Sequence, residues 1–149
     1  MTTQAQRRYV WTDCSVDRVI DGDTVSMHLC RNEFVNVDLG FKLYMDIMPL
    51  RTTQTLRIFG INAPETRGVV DRGPGLATKI ELERLLSMGK ITVETIKPDK
   101  YGDRYLGIIR VQPGALELEF DVGQRLIESG FAKPYMSSDV RVQVPPLAP

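Results

Sequence analysis

Asp21-Gly22-Asp23 stands between two strand-like stretches, Val10 to Ile20 and Thr24 to Leu29, and this is the pattern of a β-hairpin. An early hairpin commits the chain to an antiparallel sheet, so the remaining pattern is read for strands that extend it. Thr55 to Ile61 is the next clear strand. Ile91 to Ile96 alternates apolar and polar residues, as a half-buried strand does. Tyr105 to Val111 follows, and Glu117 to Phe120 is a further candidate for pairing. Cys30 to Asn36 reads as a loop. Val37 to Leu50, punctuated by Gly40 and Pro49, reads as an extended excursion whose pairing the pattern leaves open.

Two helices interrupt the strands. Pro74 suits a first helical position, Leu76, Ile80, Leu85 and Leu86 recur with charges between them, and Gly89 marks a stop, so the first helix is expected from Pro74 to Met88. Asp121 and Gln124 have capping-box spacing, which starts a second helix that runs to about Ser129 and ends at Gly130. Phe131 to Tyr135 is extended again. Five or so strands, one helix between the third and fourth and another near the end point to a mainly β fold with some α. The expected form is a five-stranded OB-type barrel with two to three helices. Residues 1–9 read as an N-terminal tail, 10–136 as one domain, and 137–149 as a flexible, proline-containing tail.

Composition narrows the function classes. The 149 residues suit one domain with a single core. Nineteen basic residues balance 19 acidic ones, which argues against a bulk electrostatic nucleic-acid binder but not against a few arginines placed at one phosphate. His28 is the only histidine, so a Ser-His-Asp triad built on another histidine and a two-histidine metal centre are excluded, as is a zinc finger. Cys14 and Cys30 would lie opposite each other in a hairpin symmetric about Gly22, but two thiols rather than a bridge are expected in a reducing compartment. No apolar run approaches the roughly 20 residues that span a bilayer, and the polar N-terminus lacks a signal-peptide core. The expectation is a cytoplasmic monomer with no membrane partner.

Three short segments carry chemistry, and each has two readings. Asp21-Gly22-Asp23 offers two carboxylates at a tight turn, either to a hard cation or simply to solvent. Arg57, in the strand Leu56 to Ile61, is followed by Asn62-Ala63-Pro64-Glu65. The arginine can grip a phosphate in bidentate fashion and Glu65 can take a proton from water, or they can be a strand ion pair and an ordinary loop. Asp99-Lys100-Tyr101-Gly102-Asp103-Arg104 offers a second arginine with a lysine and a tyrosine, or a polar turn.

Taken together, the order and spacing of these segments resemble the staphylococcal nuclease family from about Val16 to Tyr135, including Gln124 to Ala132 at the closing helix. The excursion with Asp38-Leu39-Gly40-Phe41 is more like phage and bacterial members than the compact secreted type, which implies action in a host cytoplasm. The resemblance implies calcium-dependent, largely sequence-nonspecific endonucleolytic hydrolysis of DNA, and of RNA, leaving 3′-phosphates. It implies Asp23, Asn62 and the Ala63 carbonyl as Ca2+ ligands with Asp21 in the outer shell. It implies Glu65 as general base and Arg57 and Arg104 as the clamp on the scissile phosphate. Lys100, Tyr101 and Tyr135 would contact the nucleotide.

Two departures stand out. Asn62 replaces an aspartate found in many members, which removes one negative charge and predicts weaker metal binding. Asp103 is inserted between Gly102 and Arg104, which either lengthens the turn or shifts the Lys100-Tyr101 pair. The alternatives are a non-catalytic OB module that binds nucleic acid or protein, and a phage accessory protein that uses the barrel as a platform.

Overall fold

A computed structural model describes residues 8–35, 40–41, 46–66, 68, 71–100 and 102–135. Three antiparallel strands open the chain: β1 (Tyr9–Asp21), β2 (Thr24–Val35) and β3 (Asp46–Ile58). A short β4 (Ile61–Asn62) leads to helix α1 (Gly73–Leu86). Then come β5 (Lys90–Pro98), β6 (Tyr105–Gln112), β7 (Phe120–Asp121), helix α2 (Val122–Glu128) and β8 (Lys133–Pro134). The strands pair in the order β3-β2-β1-β5-β6, and a parallel contact of Leu56 to Ile58 with Tyr105 to Gly107 joins β6 back to β3. The result is the expected closed, five-stranded, OB-like barrel with two helices, mainly β with some α.

The barrel is filled from every long strand. Val25, Met27, Leu29, Leu56, Ile58, Val93, Ile109 and Val111 are buried, and Leu82, Leu85, Val122 and Leu126 close the core from the two helices. Burial of this continuous apolar set is what drives closure. Asp121 caps α2, its Oδ1 accepting a hydrogen bond from the Gln124 N–H at 3.1 Å, and Gly130 ends it with φ +80°.

The structure corrects several sequence readings. Cys30 to Val35 is strand rather than loop, because β2 continues to Val35 and pairs in unbroken register with Asp46 to Arg57; Asn36 lies outside the described residues. Cross-strand pairing supplied the order that the local pattern lacked. Pro49 is tolerated there for a reason of parity. The Ile58 N–H points to the Asp23 carbonyl just before β2, so the N–H groups of even-numbered residues of β3 face β2 and Pro49 turns its missing N–H to the open edge. Of the last candidate strand, Glu117 to Phe120, only Phe120 pairs with β6, and Asp121 after it pairs too.

Helix α1 stops at Leu86 with Ser87 as its cap, two residues short of Met88. Gly89 is not its left-handed stop. A Cβ at Gly89 would stand 2.0 Å from the Gln112 carbonyl oxygen, so glycine is required there by close approach. The buried face of α1 is Gly75, Thr78, Leu82, Leu85 and Leu86, while Leu76 and Ile80 are 46% and 65% exposed.

Cys14 and Cys30 do not face each other. Two register shifts in the β1–β2 hairpin change the pairing from Asp21 opposite Thr24 to Ser15 opposite His28. Cys14 packs against the core, whereas alternation along β2 puts Cys30 on the opposite face from buried Leu29. Both are free thiols, as expected. Among the described residues no helix is long and apolar enough to cross a membrane. Asp38, Leu39 and the segment 137–149 lie outside the described residues, as does most of the N-terminal tail.

Candidate functional site

The β1–β2 turn is built on Gly22-Asp23, with Asp21 and Thr24 paired across it. Gly22 is there for space rather than for a left-handed backbone: a Cβ would stand 2.4 Å from Thr78 Cγ2. Helix α1 thus presses directly on the turn. The Asp23 carbonyl accepts the Ile58 N–H at 2.8 Å, which ties the turn to the end of β3. Its carboxylate accepts the Thr24 hydroxyl at 2.9 Å and the Ala63 N–H at 3.1 Å.

Arg57 lies near the end of β3, where the chain turns at Gly60 (φ +81°) into β4. Its Nη1 donates to the Ile61 carbonyl at 3.1 Å. Its Nη2 lies 3.5 Å from Asn62 Oδ1 and 3.7 Å from Asp23 Oδ2. The Tyr135 ring flanks the guanidinium, with Cζ 5.2 Å from the ring centre. Tyr135 is placed there by β8, which pairs with β4, and by its own N–H, which donates to the Gly60 carbonyl at 2.8 Å.

Glu65 is exposed in the loop after β4. That loop is held at Glu65 and Thr66. The Thr66 hydroxyl donates to Asp21 Oδ1, and Gly75 of α1 comes so close that a Cβ would stand 2.6 Å from the Glu65 carbonyl oxygen.

Arg104 immediately precedes β6, whose Tyr105 pairs with Leu56 of β3. Its Nη2 donates to Asp99 Oδ2 at 2.7 Å, while the Asp99 N–H donates to the Arg104 carbonyl at 2.7 Å. Asp103 is exposed beside Gly102 (φ +78°), and Lys100 lines the cavity. Tyr101 lies outside the described residues.

Asp21, Asp23, Arg57, Asn62, Ala63, Glu65, Lys100, Arg104 and Tyr135 all line one cavity of about 520 Å3 at the barrel mouth. The structure brings together every described candidate. It adds Lys97, Phe59 and Leu106, to which the sequence reading gave no role, and Asp99, which that reading placed in the turn without a role of its own. Lys97 was hidden by a register shift between Thr95 and Lys97 that breaks the period-two alternation of β5. Four cations (Arg57, Lys97, Lys100, Arg104) meet four carboxylates (Asp21, Asp23, Glu65, Asp99) here, so a neutral chain carries a strongly charged pocket.

Among the described residues no three His, Cys, Asp or Glu side chains gather as a metal cluster. The oxygen donors here are mixed in kind: the Asp23 carboxylate, the Asn62 amide and the Ala63 carbonyl. Asp23 and Asn62 each place an oxygen near one positive group, Arg57 Nη2, and oxygen donors of these kinds are the ones a hard cation takes.

No family model and no curated protein matches the sequence. Among solved structures, the chain is similar to the human TDRD1 extended Tudor domain, crystallised in complex with a symmetrically dimethylated peptide. The TM-score is 0.40 at 15% identity, over 82% of this chain and 57% of that one. The chain thus spans less than two thirds of that structure's length.

Proposed function

We propose that the chain is a calcium-dependent, sequence-nonspecific endonuclease for DNA or RNA, of the staphylococcal nuclease type. The observation that carries this reading is the convergence of Arg57, Arg104, Asp23, Asn62 and Glu65, from separate segments, on one cavity. Two guanidinium groups in one cavity match the charge that develops on a phosphate during attack. Arg57 and Arg104 bind and orient the diester, with Lys97 and Lys100 beside them for the flanking phosphate. Glu65 accepts the proton of the attacking water, the P–O5′ bond breaks, and the 5′ oxygen leaves as a hydroxyl after taking a proton from solvent. Calcium, held by Asp23, Asn62 and the Ala63 carbonyl with Asp21 in the outer shell, would polarise the water and the phosphate oxygen. Tyr135 walls the site.

One observation favours a second reading, a non-catalytic binding module. Both arginines already have carboxylate partners, Arg57 with Asp23 and Arg104 with Asp99, so the pocket is electrostatically self-compensated. Cleavage of a fluorescent single-stranded DNA with and without calcium separates the two. Calcium-dependent cutting that Glu65→Gln and Arg57→Ala nearly abolish supports the nuclease. A folded wild type that binds DNA without cutting it supports the module.

A further inference from the structure

We infer that Arg57 is the resident counter-cation of the Asp23 and Asn62 oxygens, and that a divalent metal displaces it from them and so frees its outer nitrogen for phosphate. The inference rests on the proposed function and concerns how that same site is switched on.

Nη2 lies 3.5 and 3.7 Å from oxygens of the two residues whose side chains would ligate the metal. Both contacts are longer than a normal charge-assisted hydrogen bond, so exchanging them costs little. A divalent cation on the same oxygens and a guanidinium nitrogen beside them repel each other. The Arg57 and Asp23 side chains are only 15% and 14% exposed, so water screens that repulsion weakly.

The remaining contacts let Nη2 change partner without disturbing the site. Nη1 stays on the Ile61 carbonyl at 3.1 Å, and the Tyr135 ring still flanks the group. Asp23 is held separately by the Ala63 N–H and the Thr24 hydroxyl. Without metal, the arginine is satisfied internally and attracts phosphate poorly. With metal it must seek another anion, and the phosphate is the one that the cavity admits. Linkage then requires that metal and phosphate tighten each other's binding.

The inference makes a prediction of unusual sign. An arginine that merely supported the aspartate would, on removal, weaken calcium binding. A resident competitor, on removal, strengthens it. Titration calorimetry with calcium chloride on the full chain compares wild type with Arg57→Gln, Arg57→Lys and Arg104→Gln, each checked for folding by thermal unfolding. Arg57→Gln should bind calcium about fivefold or more tightly than wild type, from removal of one nearby charge. Arg57→Lys should fall between the two. Arg104→Gln should change the affinity by less than about twofold, because Arg104 is paired with Asp99 and its charge is screened. Unchanged or weaker calcium binding by Arg57→Gln overturns the inference. An equal gain in Arg104→Gln, or no calcium binding by wild type and Arg57→Gln alike, overturns it too. Calcium binding without DNA cleavage by wild type removes the nuclease reading and leaves the displacement standing.

Discussion

Thr78 of α1 lies against Gly22 of the first hairpin so closely that a Cβ on Gly22 would stand 2.4 Å from Thr78 Cγ2 and 2.8 Å from its Cβ. Thr78 is itself fixed, its hydroxyl lying 3.0 Å from both the Pro74 and the Phe131 carbonyl oxygens, between which its one proton is shared. The turn that carries Asp21 and Asp23 is therefore seated on the helix rather than free in solvent.

It follows that Gly22→Ala destabilises the fold by about 1–3 kcal/mol through overpacking and displaces both aspartates. Thr78→Ser removes Cγ2 but keeps the hydroxyl, so it should restore part of that loss when combined with Gly22→Ala. Urea unfolding of the two single variants and the double variant measures this. Strictly additive effects would show that the two side chains do not compete for space.

Asp99 orients Arg104 through the 2.7 Å bond to Nη2. Asp99→Asn keeps the shape and loses the charge, so, under the proposed function, the guanidinium would be aimed less well at its phosphate. We expect kcat to fall about tenfold with the melting temperature little changed, from misplacement alone. An unaltered kcat would mean that the pair holds the turn and not the arginine.

Asn62→Asp adds a negative charge to the proposed cation site, and charge count tunes calcium affinity. Calorimetry should show calcium binding tightened about tenfold. Weaker binding would place Asn62 outside the metal's coordination sphere.

Burial pushes the Cys14 thiol above its ordinary value of 9.0, with the negative charges of Asp13 and Cys30 adding to the effect. The sign follows directly. The unfolded chain loses this proton at lower pH than the folded one, so stability is full below about 9 and falls as pH rises through the folded value. Cys14→Ala should flatten that fall in unfolding measured from pH 8 to pH 10. In a Cys30→Ser background, alkylation of Cys14 by iodoacetamide should have a midpoint above 9.0. A midpoint below 9.0 would contradict the burial.

Much of the site was legible because its residues come in short, recognisable runs. Asp21-Gly22-Asp23, Arg57 with Asn62 to Glu65, and the segment Asp99 to Arg104 each stood out before any contact was known. Their convergence at one mouth was not legible, because it depends on the parallel contact of Leu56 to Ile58 with Tyr105 to Gly107 and on β8 reaching β4. Lys97 escaped notice because a bulge resets which way a strand side chain points. Cys14 and Cys30 were matched by symmetry about Gly22, which two register shifts abolish.

By itself, the sequence determined the local elements. The period-two alternation of β5, the Asp121 cap with its Gly130 stop, and the early hairpin follow from propensity and side-chain hydrogen bonding over a few residues. Only the tertiary structure decided the closure of the barrel, the register of the long β2–β3 ribbon, and the partners of Arg57. These depend on pairing between strands distant in the chain, where one residue of slip changes which side chains meet, and no local pattern records that choice.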